Sequence, residues 1–183
     1  NSMKILLNHP KILPNLKDRE GATPLHWAVI NDKAEAVRLL IKNEKVDINE
    51  KDNFQRSALL LAAASNSPNA MRVLLSSGRI TDANAADQRL TTPLIAACES
   101  KSVECIKLII DASKTISVDF NKRNVDGVTA LDVAAFSNSP EIVRLLLGVE
   151  AVDASDLNKQ SAKKQLSKEI VQIIDEYFSS KNK

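Results

Sequence analysis

Thr23-Pro24-Leu25-His26-Trp27-Ala28 returns three more times along the chain, as Ser57-Ala58-Leu59-Leu60-Leu61-Ala62, Thr92-Pro93-Leu94-Ile95-Ala96-Ala97 and Thr129-Ala130-Leu131-Asp132-Val133-Ala134. The four starts are 34, 35 and 37 residues apart. Twelve residues after each start comes a second apolar block: Glu35-Ala36-Val37-Arg38-Leu39-Leu40, Asn69-Ala70-Met71-Arg72-Val73-Leu74, Glu104-Cys105-Ile106-Lys107-Leu108-Ile109 and Glu141-Ile142-Val143-Arg144-Leu145-Leu146. Both blocks carry apolar residues at helical spacing, so each repeat reads as a pair of short helices.

The residue types have mechanical reasons. A hydroxyl at Thr23, Ser57, Thr92 or Thr129 can accept from the free N–H groups of a helix start, and Pro24 or Pro93 then takes the first helical position, where its missing N–H costs nothing. The small Ala28, Ala62, Ala63, Ala97, Ala134 and Ala135 let neighbouring first helices approach closely. One helix pair cannot bury its own apolar face, so stability must come from stacking.

These residues resemble the ankyrin repeat family. Its Thr-Pro-Leu-His-x-Ala signature is intact at 23–28 and degraded in the other three copies, and the match covers roughly residues 18 to 158. The resemblance implies an all-α ankyrin-repeat solenoid of four helix-turn-helix repeats, 18–51, 52–86, 87–123 and 124–158. Inner helices would line a concave face, outer helices a convex one, and finger loops would project from the stack. It also implies that His26 ties adjacent repeats together. The finger glycine of the family is kept at Gly21 and Gly127 but replaced by Gln55 and Leu90, so a different turn is expected in those two fingers. The longer connections after the outer helices read as tolerated insertions.

At the N-terminus, Lys4-Ile5-Leu6-Leu7 followed by Lys17-Asp18 resembles the end of an outer helix entering a finger, so 1–17 reads as a partial N-terminal repeat or cap, and further repeats upstream of Met3 are expected. Leu166, Ile170, Val171, Ile174 and Phe178 share a helical face, which makes 159–178 a C-terminal capping helix, with 179–183 a tail.

Composition excludes most alternatives. The chain is 44% hydrophobic and carries 25 basic against 23 acidic residues, a balance that by itself favours neither nucleic acid, a membrane surface nor an acidic partner, so any charge argument is local. Four glycines and 3% aromatics argue against phosphate cradles and base-stacking platforms. No apolar run approaches the roughly 18 residues of a membrane span. Cys98 and Cys105 would lie about 10 Å apart on one helix, too far for a disulfide, and read as packing residues. His9 and His26 are the only histidines, which leaves a metal site or a catalytic triad almost nothing to work with. No enzymatic activity and no cofactor is expected.

The remaining function is binding. Carried over from the family, the candidate partner-binding positions on the fingers are Arg19, Glu20, Lys51, Asn53, Phe54, Arg56, Gln88, Arg89, Thr91, Lys122, Arg123, Val125 and Asp126, joined by Phe136 at an inner-helix end. Arg19, Lys51, Arg56, Arg89, Lys122 and Arg123 form a basic stripe, and Phe54 sits at a tip where no core requires it. Arg and aromatic residues dominate interface energetics, so the expected partner is a protein or peptide with an acidic, partly apolar surface. Trp27 is expected to be half-buried between the first two repeats. The chain is expected to be monomeric on its own and intracellular, in the cytoplasm first and the nucleus second. Two other readings stand beside this one: a targeting or regulatory domain of a larger protein with catalysis elsewhere, and a nucleic-acid binder using the basic stripe, which the charge balance disfavours.

Overall fold

The computed structural model describes residues 13–157 and 159–181. Four inner helices, α1 (Pro24–Ile30), α3 (Ala58–Ala64), α5 (Pro93–Glu99) and α7 (Ala130–Phe136), alternate with four outer helices, α2 (Ala34–Lys42), α4 (Pro68–Ser76), α6 (Val103–Ala112) and α8 (Pro140–Leu147). A one-turn α9 (Gln160–Lys163) and a longer α10 (Lys168–Lys181) close the stack. No strand occurs among the described residues; a single antiparallel bridge joins Lys51 and Ser57. Inner helices pack on inner helices and outer on outer, with α10 against α8. The partial repeat expected over 1–17 lies outside the described residues except for its last five.

Seven-residue helices are too short to hold themselves in water, so each depends on its caps and on its neighbours. The hydroxyls of Thr23, Ser57, Thr92 and Thr129 accept the N–H of His26, Leu60, Ile95 and Asp132 respectively. Ala62, Ala63, Ala97 and Ala134 lose their whole surface between inner helices, while Val37, Leu40, Met71, Leu74, Ile106, Ile109, Val143 and Leu146 fill the outer layer. Burial pushes the Cys98 thiol up to about 12, and burial likewise raises Cys105, so both cysteines serve as small packing groups.

A second set of bonds joins the repeats through their long connections. The Asn15 side chain accepts the Asp47 N–H (2.9 Å) and donates to the Lys45 carbonyl (2.7 Å). Asn49 does the same with Thr81 and Arg79, Asn84 with Asp119 and Ser117, and Asn121 with Asp153 and Ala151. Each asparagine thus satisfies one donor and one acceptor of the next repeat's backbone, which an exposed loop would otherwise surrender to water. The connections read as insertions are therefore an inter-repeat clamp. The series ends where Ser155 takes the next position; among the described residues its N–H bonds locally, to Asp153.

His26 spans the first two repeats in a way that fixes its proton. Its Nδ1 accepts the Thr23 N–H (3.0 Å), so its Nε2 must carry the hydrogen and donates it to the Glu50 carbonyl (3.1 Å). Burial holds its pKa below the ordinary histidine value, against the opposing pull of Asp52 and Glu50. The unfolded chain therefore binds the proton more readily than the folded one. Stability is complete above about pH 6.5 and falls as pH drops from there toward the folded pKa. In His26→Leu this part of the dependence is expected to vanish, since Leu60 and Ile95 already occupy the matching positions. Urea midpoints at pH 7.5 and 5.5 for both proteins check this; equal slopes would mean that His26 does not titrate against folding.

At the C-terminus the single helix expected over 159–178 is two, and helix continues to Lys181, into the segment read as a tail. The break arises at Ser167. Its hydroxyl accepts the Ile170 N–H and donates to Asn138, starting α10 against the turn of the fourth repeat. Ile170, Ile173 and Ile174 are the residues α10 buries.

Candidate partner-binding surface

Each finger is built from one side chain at its start. Asp18 Oδ1 accepts the N–H groups of Glu20 and Ala22, Asp52 those of Phe54 and Arg56, Asp87 those of Arg89 and Thr91, and Asn124 those of Asp126 and Val128. The fingers also bond to one another: Asn53 N–H to the Glu20 carbonyl, Gln88 to Phe54 and Val125 to Arg89, at 2.9, 3.2 and 2.9 Å. They form a continuous ribbon.

The turn is the same in all four fingers. Gly21 (φ 77°), Gln55 (φ 65°), Leu90 (φ 59°) and Gly127 (φ 75°) share the left-handed region, and each donates its N–H to the carbonyl three residues back. The expected change of turn at Gln55 and Leu90 does not occur, because the aspartate and the backbone bonds on either side dictate the conformation whatever residue occupies it. A non-glycine side chain there stores about 1–2 kcal/mol of strain.

Of the candidate positions, Arg19, Glu20, Asn53, Gln88, Arg89, Arg123, Val125, Asp126, Phe54 and Phe136 are exposed, and Lys51, Arg56 and Lys122 are partly so. Thr91 is buried, which removes it from the surface: as the last finger residue it returns both backbone bonds to Asp87. Asn53 and Gln88 turn their amide N–H groups onto the carbonyls of Arg19 and Asn53, within the ribbon.

The basic stripe is mostly spent on the chain's own carboxylates. Arg56 meets the buried Asp52 at 2.6 Å, Arg89 meets Asp126 at 2.9 Å and Arg123 meets Asp156 at 2.6 Å. Lys122 donates to the Asn84 carbonyl, so of the six basic residues only Arg19 and Lys51 lack an ion pair or side-chain hydrogen bond among the described residues. The Arg56 guanidinium also lies 4.7 Å from the centre of the Phe54 ring.

The apolar groups are open. Trp27, Phe54, Leu90, Val125 and Phe136 keep 48%, 47%, 49%, 54% and 49% of their surface, on fingers or on inner helices. Trp27 does not join the core; its indole N–H donates to Asp18 of its own finger at 2.8 Å, which also lowers the Asp18 pKa. Leu90 was legible only as a missing glycine, yet it is an exposed leucine held in a glycine's backbone conformation. Glu99 is the last residue of α5. Partial burial raises its pKa, with Asp87 and Asp126 adding like charge and Arg89 opposing them.

Among the described residues no group of three metal-ligating side chains converges, and no helix is long and apolar enough to cross a membrane.

A family model described as ankyrin repeats (3 copies) matches residues 1–84 and 79–161. The mouse B-cell lymphoma 3 protein homolog is 35% identical over 144 residues, 76% of this chain and 32% of that protein. Inversin from dog is 35% identical over 144 residues, 13% of its length, and Notch homolog protein 1 from Xenopus laevis is 31% identical over 148 residues, 6% of its length. The crystal structure of the ankyrin repeat domain of Bcl-3 superposes with a TM-score of 0.75 at 30% identity, covering 87% of this chain and 73% of that one. The chain thus spans about a third of the length of its B-cell lymphoma 3 relatives, 32% and 31% in mouse and human.

Proposed function

This chain belongs to the ankyrin repeat family, whose domains bind protein partners, and we propose that it takes a protein or peptide on its finger ribbon and the adjoining ends of its inner helices. The observation that supports this reading is the run of Trp27, Phe54, Leu90, Val125 and Phe136, large apolar side chains left half open on a chain that is only 3% aromatic. Apolar groups clustered on one surface mark interaction sites. Arg19 and Lys51 would add contacts to acidic groups of the partner at the N-terminal end. The neutralised arginines weigh against nucleic acid, whose affinity rests on unpaired basic groups.

The test uses Phe54→Ala and Leu90→Asn, both at exposed positions. Charge reversal at Arg56 would strand Asp52, buried to 2% exposure, and confuse binding with folding. Affinity capture from native lysate with the intact chain, then titration of the recovered partner, should show each variant weakened about tenfold, the scale of an interface hot spot. A recovered partner that binds both variants as tightly as the parent would place the contact elsewhere.

One fact favours a second reading. The B-cell lymphoma 3 relatives are about three times as long as the segment they share with this chain, which suits a targeting or regulatory element of a larger protein.

A further inference from the structure

We propose that the hollow between the second and third repeats, beside Lys51 and Ala85, is a socket for a glutamate side chain of the partner, an assignment that rests on the protein-binding reading above and adds a chemical requirement to it.

The chain itself shows what such a place holds. At the junction of the first two repeats, Lys17 stands one residue before the finger aspartate Asp18, and Glu50 stands two before the next one, Asp52. The Lys17 ammonium donates to the Glu50 carboxylate at 2.6 Å and to the Lys51 carbonyl at 2.9 Å. The bonds from Asn53 to Glu20 and from Gln88 to Phe54 keep successive fingers in one register, so the same two places recur one junction later. There the lysine is kept, as Lys51 before Asp52, but the position two before Asp87 is Ala85. A methyl group stands where the first junction has a carboxylate. Lys51 is accordingly left without an ion pair or a side-chain hydrogen bond among the described residues, while Glu50 is taken by Lys17.

The same replacement makes room. A hollow of about 100 Å³ opens at this junction, lined by Lys51 and Ala85 together with the apolar Ile48, Leu59 and Ile80. A water occupies about 30 Å³ of liquid, so the space suits a carboxylate and the methylene that carries it. Lys51 also pairs with Ser57 across the base of the second finger, which places the socket next to the ribbon that carries Phe54 and Leu90.

Charge selects the occupant. Lys51 is partly buried, and an apolar side chain in the hollow would cover it further with no counter-ion. A basic side chain would repel it. A glutamate lays its methylenes on Ile48, Leu59 and Ile80 and gives Lys51 the carboxylate that Lys17 already has. Asp82 is the other charged residue on the hollow; it is exposed to screening water, and its carboxylate accepts the Asn84 N–H at 2.8 Å.

The test is selection of short randomised peptides, displayed on phage, against the intact chain, with the enriched peptides then synthesised. Expected is one glutamate common to them, whose replacement by glutamine costs about tenfold in affinity. Lys51→Gln should cost the same, and on that background the peptide's glutamine should cost nothing more, since the two changes remove one interaction. Ala85→Glu fills the socket from within, so it should melt no lower than the parent and bind the peptides about tenfold more weakly. A lowered melting temperature for Ala85→Glu, unchanged binding to it, or a glutamate whose loss adds fully to that of Lys51 would each overturn the socket. Leu90→Asn, measured alongside, separates this from the wider reading. Peptides that need Leu90 but ignore Lys51 leave the surface and remove the socket; peptides that need Lys51 but ignore Leu90 keep the socket and remove the ribbon. No enrichment would overturn both.

Discussion

Gly21→Ala is expected to lower stability by about 2–3 kcal/mol, while Gly127→Ala, at the matching position of the fourth finger, costs about 1 kcal/mol. The two glycines have nearly the same backbone conformation, φ 77° and 75°, so the intrinsic penalty for a side chain is common to both. They differ in what the new methyl group meets. At Gly127 a Cβ finds nothing within 4 Å, whereas at Gly21 it would lie 2.5 Å from Asn53 Oδ1 and 2.7 Å from Asn53 N. Those atoms belong to the junction between fingers, where Asn53 donates its backbone N–H to Glu20 and its side-chain N–H to Arg19. Relieving the clash means parting the first finger from the second. Because a stack of repeats is held by nearest-neighbour interfaces, the damage should concentrate at that end. Urea unfolding gives the two costs, and amide exchange should show protection lost at Asn53 but kept at Val125. Equal costs would mean that the finger junction contributes nothing measurable.

What could be read beforehand follows from how local each signal is. The inner helices were legible because a hydroxyl, a proline and a run of small apolar residues act within one turn, as at Thr92-Pro93-Leu94. The break at Ser167 was hidden by an apolar face that continues across it, from Leu166 to Ile170. The asparagine clamp was missed for a different reason: Asp47-x-Asn49, Asp82-x-Asn84 and Asp119-x-Asn121 recur in the very connections that looked like insertions, and the periodicity of apolar residues carries no trace of them. On the candidate surface, the place of Phe54 in a finger was legible, but whether its ring stays open or folds back on its own repeat was not. The neutralisation of the basic stripe was not, since Asp126 and Asp156 lie one repeat beyond Arg89 and Arg123 and meet them only once the stack has its register.

Leu90→Asn should make the chain more stable and a worse binder at the same time. A leucine at φ 59° is strained by about 1–2 kcal/mol, and asparagine tolerates this region far better, so the substitution is expected to gain about 1 kcal/mol. Nothing in the core is lost, because Leu90 keeps 49% of its surface exposed and is absent from the buried cluster. What disappears is the middle of three finger anchors, at an expected cost of about tenfold or more in affinity for the partner. Gln55→Asn is the matched control. It relieves the same strain at φ 65° in the preceding finger but removes no apolar group, so it should raise stability and leave affinity within about twofold. Thermal unfolding of the two variants and the parent, followed by titration with the captured partner, measures both halves. A Leu90→Asn variant that loses stability would show leucine packing locally; one that gains stability and binds as before would remove Leu90 from the interface. The combination of gained stability and lost affinity, seen at position 90 and not at 55, is the signature of backbone strain maintained to hold one apolar side chain out toward a partner.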